Sequence, residues 1–247
     1  VGVILLPEAD AATLTIEEAE LLATVGVEVV PALPRRGPPT LALTRGPTGL
    51  WGLHDCSVTR GPTLRPDFLD GALERRARMT WNMHEPLRDA LGVSKGEAIS
   101  VVDATAGMAR DSWMMTAWGH SVRAWERHPL LAWMLRGAWE AAGAPPQLDL
   151  RHGDARTDRE PARVVYLDPM YPGAKKSALP SGELQLLRRL LADDAPPDGL
   201  LPWALELATH RVIVKRPRGA EPLDGQRPSF QLEEASTRWD VYVRAGR

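Results

Sequence analysis

Residues 101–111 read Val-Val-Asp-Ala-Thr-Ala-Gly-Met-Ala-Arg-Asp. Two β-branched residues lead to an acid, the chain turns through small residues, and a charged pair opens a helix-compatible stretch. A buried strand entering a helix this way lets the polar groups of a ligand reach free backbone N–H groups at the helix start, and small side chains keep the approach open. Gly107 supplies a permissive backbone, whereas Ala109 stands where a nucleotide-binding loop commonly has a further glycine. A strand, turn and helix of this kind also suits plain packing, so the next strand matters. Glu126 ends that strand 19 residues beyond Gly107, about where an acid on a neighbouring strand tip accepts from two ribose hydroxyls.

Working outward, β-branched runs alternate with longer helix-compatible stretches, which favours a parallel sheet covered by helices. Strands are expected at Ile99–Asp103, Ser121–Glu126, Leu148–His152, Val164–Asp168 and Arg211–Lys215. Helices are expected at Asp111–Trp118, at Pro129–Ala142, where Pro opens the first turn, and at Gly182–Ala192. Ser229–Glu233 and Trp239–Arg244 read as an antiparallel pair closing the sheet. Before this lies a different region. Val1–Leu6, a helix near Ile16–Val25 and Val27–Leu33 suggest a small α/β unit. A Pro/Gly-rich stretch over residues 34–66 then shows few regular signals, and Asp67–Leu91 returns to helical spacing. Gly92 and Gly96 punctuate the chain, so the expected division is a small N-terminal region, residues 1–92, with an RNA-contacting role, and a main domain, residues 93–247.

Two more strand tips bear polar turns, His152-Gly153-Asp154-Ala155 and Asp168-Pro169-Met170-Tyr171-Pro172. Four successive parallel strands thus end in an acid or an acid-bearing turn on the carboxyl edge, where doubly wound sheets bind ligands. In the last turn proline stiffens the backbone and removes a donor. Carboxylate and carbonyl oxygens are left to accept from an amino group, and Tyr171 offers a flat face to a base. That chemistry suits methylation of an exocyclic amine.

At 247 residues, 44% apolar and 25% charged, the chain excludes a disordered tail, a fibre and a disulfide miniprotein. A net charge of −2 argues against coating nucleic acid by bulk electrostatics, but basic residues cluster locally: Lys175 with Lys176, and Arg211, Lys215, Arg216 and Arg218. Six histidines without paired ligand spacing and one cysteine, Cys56, lead us to expect no metal. The nine tryptophans are expected to pack. Apolar runs such as Val1–Leu6 fall short of the roughly 18 residues that cross a bilayer. With a single cysteine and no charged-then-apolar leader, a cytoplasmic setting is expected.

The stretches VVDATAGMARDSW, VRAWERHPLLAWML, VVYLDPMYPGAKKSAL and RVIVKRP, with RWDVYV near the end, are identified as those of a class I S-adenosylmethionine-dependent methyltransferase. More closely, the chain resembles the bacterial 16S ribosomal RNA guanine-N2 methyltransferases of the J type. KKSAL and VKRP carry the finer resemblance, which spans most of residues 99–244; the first ninety residues match loosely, chiefly over Asp67–Arg78. The resemblance implies a Rossmann-like, mostly parallel seven-stranded sheet, S-adenosylmethionine as cofactor, and 16S rRNA or the small ribosomal subunit as partner. Cofactor contacts are expected from Asp103, Gly107, Arg110, Asp111, Glu126, Arg127, Asp154, Ala155 and Asp168. Asp168, Pro169 and Tyr171 are expected to serve the chemistry, and Lys175, Lys176, Lys215 and Arg216 to bind RNA phosphates. Two departures stand out. Ala109 replaces a usual glycine, from which weakened cofactor binding at worst is expected, and Asp154-Ala155 replaces a serine pair, so that Asp154 could accept from the adenine amino group. The Asp-Pro-x-Tyr turn by itself suits equally an adenine or cytosine amine in DNA or another RNA, and Ala109 suits a relative that binds without turnover.

Overall fold

The computed structural model describes residues 4–34, 40–78, 84–170, 182–191 and 198–244. In chain order the elements are β1 (Ile4–Pro7), α1 (Glu8–Ala11), α2 (Ile16–Thr24), β2 (Val27–Val30), β3 (Leu41–Arg45), β4 (Trp51–Asp55), β5 (Thr63–Leu64), α3 (Gly71–Ala77) and α4 (Pro86–Leu91). There follow β6 (Ser100–Asp103), α5 (Arg110–Ala117), β7 (Ser121–Glu126), α6 (Pro129–Ala141), β8 (Leu148–His152), β9 (Ala162–Leu167), α7 (Gly182–Leu190), α8 (Leu200–Leu207), β10 (Ala208–Pro217), β11 (Phe230–Glu233) and β12 (Thr237–Val243).

The contacts divide the chain into two units. The first unit comprises Val1–Asp67, His128–Gly143 and Lys176–Ala195, and the second Phe68–Arg127, Ala144–Lys175 and Pro196–Arg247. The segment bearing α3 and α4 therefore belongs with the main sheet, while α6 and α7 group with the N-terminal strands.

The first unit holds a five-stranded sheet in the order β2-β1-β3-β4-β5. Thr15 and Glu18 form a reciprocal cap at the start of α2, each side chain bonding the other's backbone N–H. Strands β3 to β5 fall in the Pro/Gly-rich stretch where few regular signals are expected. The β3–β4 hairpin turns through Gly46–Gly49, with Gly49 at φ +80° and Gly46 N–H donating to Leu50 O at 2.9 Å. Its strands are short, and Leu41, Ala42, Leu43, Trp51, Gly52 and Leu53 are all buried, so no polar alternation marks them.

The second unit is a seven-stranded sheet ordered β11-β12-β10-β9-β6-β7-β8. Strands β6 to β10 are mutually parallel and β12 runs antiparallel between β10 and β11. Val101, Val102, Val164 and Val165 in the centre are wholly buried, as befits a parallel sheet covered on both faces. Helix α8 adds Leu201, Ala204 and Leu207 to a core with Val165, Val212, Val214 and Tyr242. Pro202 hides this helix from a sequence reading, yet it lies in the first turn, where its missing N–H would have no helical partner. The chain reverses its direction of strand addition between β6 and β9, and the crevice beyond their carboxyl ends is where such sheets take ligands.

Candidate active site

The turn after β6 is stitched to both neighbouring strands. Ala104 N–H donates to Tyr166 O at 3.0 Å and Ala106 N–H to Trp125 O at 2.9 Å. Gly107, at φ +55°, donates to Glu126 Oε2 at 2.9 Å, so the carboxylate ending β7 is drawn against the turn it was expected to serve. A methyl group built on Gly107 would meet nothing nearer than Thr105 O at 3.8 Å, so that side of the turn is uncrowded. Ala109 caps α5 at φ 51°, a left-handed conformation that strains a residue with a Cβ, and is 1% exposed.

Asp103 lies beneath the turn, accepting from Thr105 N–H at 3.0 Å and Ser112 Oγ at 2.5 Å. Burial pushes its carboxyl up to about 7 despite these two donors. Asp111, in the first turn of α5, accepts from Tyr166 Oη and Lys215 Nζ, each at 2.7 Å, with Arg76 Nη1 at 3.7 Å. Burial alone would raise Asp111, but Lys215, Tyr166 and Arg76 outweigh it and hold the carboxyl below the usual range. Arg76 is gripped from behind by the buried Glu85, through bonds of 2.9 and 2.7 Å.

Asp168 follows β9. Its N–H donates to Thr105 Oγ1 at 2.6 Å, fixing this turn against the one after β6, and its Oδ2 lies 3.0 Å from Lys215 Nζ. Desolvation pushes its carboxyl upward, Lys215 opposes this and Asp111 adds to it, while 41% of the side chain remains accessible. Burial would lower Lys215, but Asp168 and Asp111 more than reverse that and hold it protonated above the ordinary lysine range.

The remaining expected residues are scattered around this centre. Pro169 is buried, Arg110 is exposed at the start of α5, and Arg127 is half-buried after β7. Ala155 is buried in the short 3₁₀ turn Ala155–Thr157. Asp154 caps that turn and is engaged by its own neighbour, Arg156, whose Nη2 lies at 2.6 Å and Nε at 3.1 Å. That hydrogen bonding holds Asp154 below the usual range, with 30% of its side chain accessible. Tyr171, Lys175 and Lys176 lie outside the described residues. Lys215 and Arg216 do not form an open basic face: Lys215 bridges two carboxylates, and Arg216, 6% exposed, donates to Glu221 O at 3.1 and 2.6 Å.

Sequence reasoning missed Tyr166, Thr105, Ser112 and Arg76. Tyr166 sits two residues before Asp168, and strand alternation could have placed them on one face. Nothing local marks Arg76. Two of the tryptophans pack within the second unit: Trp113 stacks on Phe68 at 4.7 Å, and Trp125 donates to the buried Asp158. Among the described residues no group of three His, Cys, Asp or Glu could hold a metal ion, and no helix is long and apolar enough to cross a membrane.

A sheet of this order with an acid at each of its leading strand tips is the frame of a class I methyltransferase, and a family model described as "Putative SAM-dependent methyltransferase" matches residues 40–244. A crystal structure of a SAM-dependent methyltransferase from Neisseria gonorrhoeae superposes with a TM-score of 0.65 at 28% identity, covering 99% of this chain and 96% of that one. The chain is 38% identical over 215 residues to the ribosomal RNA small subunit methyltransferase J of Pseudomonas aeruginosa strain UCBPP-PA14, covering 82% of each. It is 40% identical over 196 residues to that of Stutzerimonas stutzeri, covering 74% of this chain and 76% of the relative. The chain belongs to the ribosomal RNA small subunit methyltransferase J family of SAM-dependent methyltransferases.

Proposed function

We propose that this protein methylates the exocyclic N2 of a guanine in 16S rRNA, as free RNA or within the small ribosomal subunit. The observation that carries this reading is the Asp168-Pro169 turn, tied to the cofactor turn through Thr105 and backed by Lys215. The names of the relatives supply the substrate class.

The residues present fit S-adenosylmethionine: Glu126 is an acceptor for ribose hydroxyls, and the uncrowded turn at Gly107 admits a ligand close to backbone. Arg110, Asp111 and Arg127 border that turn, with Asp154 and Ala155 at the next strand tip. When bound, the cofactor supplies a methyl group already activated by its sulfonium, so alignment and exclusion of water are the protein's tasks. Asp168 and the Pro169 carbonyl accept the amine protons, which turns the nitrogen lone pair out of conjugation and toward the donor. The carboxylate then steadies positive charge on nitrogen until the surplus amine proton passes to solvent. Tyr171 stacks on the base after it is drawn from its helix. Lys175 and Lys176 keep the phosphate-binding role in this reading, whereas Lys215 and Arg216 serve the site itself. Incubation with labelled cofactor and small subunits or naked 16S rRNA, followed by mapping of the modified base, tests the proposal; label on adenine, cytosine or another RNA would overturn it.

A further inference from the structure

The Lys215 ammonium lies 2.7 Å from Asp111 Oδ2 and 3.0 Å from Asp168 Oδ2, with 28% of the side chain accessible. The first carboxylate is fixed from several sides, by Tyr166 Oη, by Arg76 and, behind Arg76, by Glu85. The second is half-open and stands at the turn that meets the substrate. One cation therefore links an immobile buried acid to a working one. Turning that ammonium toward a phosphate would leave two neighbouring carboxylates without their shared counterion, in surroundings where an uncompensated charge is costly. We infer that Lys215 is a positioning residue for methyl transfer: anchored through Asp111, it holds the Asp168 carboxylate in place and ionised, and it does not bind RNA phosphate. The inference rests on the reading that Asp168 receives the target amine.

The charges facing Asp168 make this consequential. Asp111 on α5 and Asp103 at the end of β6 oppose its ionisation, while Lys215 and Arg216 on β10 favour it. Tyr166 and Arg76 act on it through Asp111. Without Lys215 the like charges prevail, and Asp168 keeps its proton to a higher pH. A protonated carboxyl cannot accept on both oxygens and gives no charge to a nitrogen becoming cationic.

The test compares Lys215→Met, Lys215→Gln and Lys215→Arg in the full chain. Carbon-13 NMR of labelled aspartate, without substrate, follows the Asp168 carboxyl. Its midpoint is expected to rise by about one pH unit in the Met and Gln variants and to return in the Arg variant, since an opposite charge this close lowers a carboxyl by about that much or more. In turnover assays the acid limb of kcat moves up in parallel, while the salt dependence of RNA binding stays unchanged. Lys215→Gln keeps a polar donor on a side chain one atom shorter, so the comparison survives should the Met variant misfold. An Asp168 midpoint unmoved in either folded, uncharged variant overturns the inference, as does a salt slope for RNA binding that flattens by about one. Because the titration needs no substrate, a parent protein that methylates some other amine refutes the guanine reading while the coupling of Lys215 to Asp168 is judged separately.

Discussion

Asp103→Asn isolates the least expected electrostatic feature of the site, a wholly buried carboxyl whose pKa is about 7 in the folded protein against an ordinary 3.8. For an acid raised in this way the folded state binds more protons than the unfolded state between the two values, so its contribution to stability falls as pH rises through that window. Between pH 5 and pH 8 the unfolded chain has already lost this proton, while the folded protein loses it around pH 7. Integrating the difference at about 1.4 kcal/mol per pH unit gives a loss of roughly 2 to 3 kcal/mol attributable to Asp103 alone. Asparagine has no charge to bury. It keeps one oxygen to accept from Thr105 N–H or Ser112 Oγ, so at pH 5 it should be less stable than the parent by about 1 kcal/mol for the weakened bonding. As pH rises the deficit should shrink and then reverse. Urea melts followed by tryptophan fluorescence at half-unit steps from pH 5 to 8 measure this, and taking the variant minus the parent cancels the titrating groups not coupled to Asp103, which leaves Asp111 and Asp168 as its interacting partners. A difference that stays constant over the range would show that Asp103 does not titrate there and that burial does not dominate its two donors.

Glu126→Ala should weaken cofactor binding by about 2 to 4 kcal/mol, the loss of two charge-assisted hydrogen bonds; unchanged calorimetric affinity in a folded variant would remove Glu126 from the site. Asp168→Ala should slow single-turnover methyl transfer by about a hundredfold or more at saturating cofactor, and Asp168→Asn should fold, bind RNA and remain slow, because its amide accepts through one oxygen but carries no charge. Parent rates in both variants would refute the chemistry assigned to this turn. Ala109→Gly relieves a left-handed backbone but removes a methyl group that is already buried in the protein, so the cofactor Kd should change by less than about threefold; tenfold tighter binding would mean that the methyl faces the ligand after all.

The sequence by itself determined the parallel sheet, because its signals are local. Ser121–Glu126 and Leu148–His152 are strands as expected, the start of α6 follows from Pro129, and the acids at Asp103, Glu126, Asp154 and Asp168 follow from where strands end. The resemblance carried by those stretches added cofactor and substrate class. Tertiary structure decided the rest. The buried β3–β4 hairpin lacks the alternation that exposes a strand to a reader, and Pro202 reads as a breaker until its place in the first turn of α8 is seen. Asp154 stands alone in sequence reasoning, whereas the structure pairs it with Arg156 two residues on. Lys215 shows the limit most sharply. In sequence it belongs to a basic cluster and reads as a phosphate contact, but its partner Asp111 is 104 residues away, and only the order of strands, with β10 beside β9, brings the ammonium between two carboxylates. Periodicity reports which face of an element is buried; it carries no information about which charge waits on the neighbouring strand.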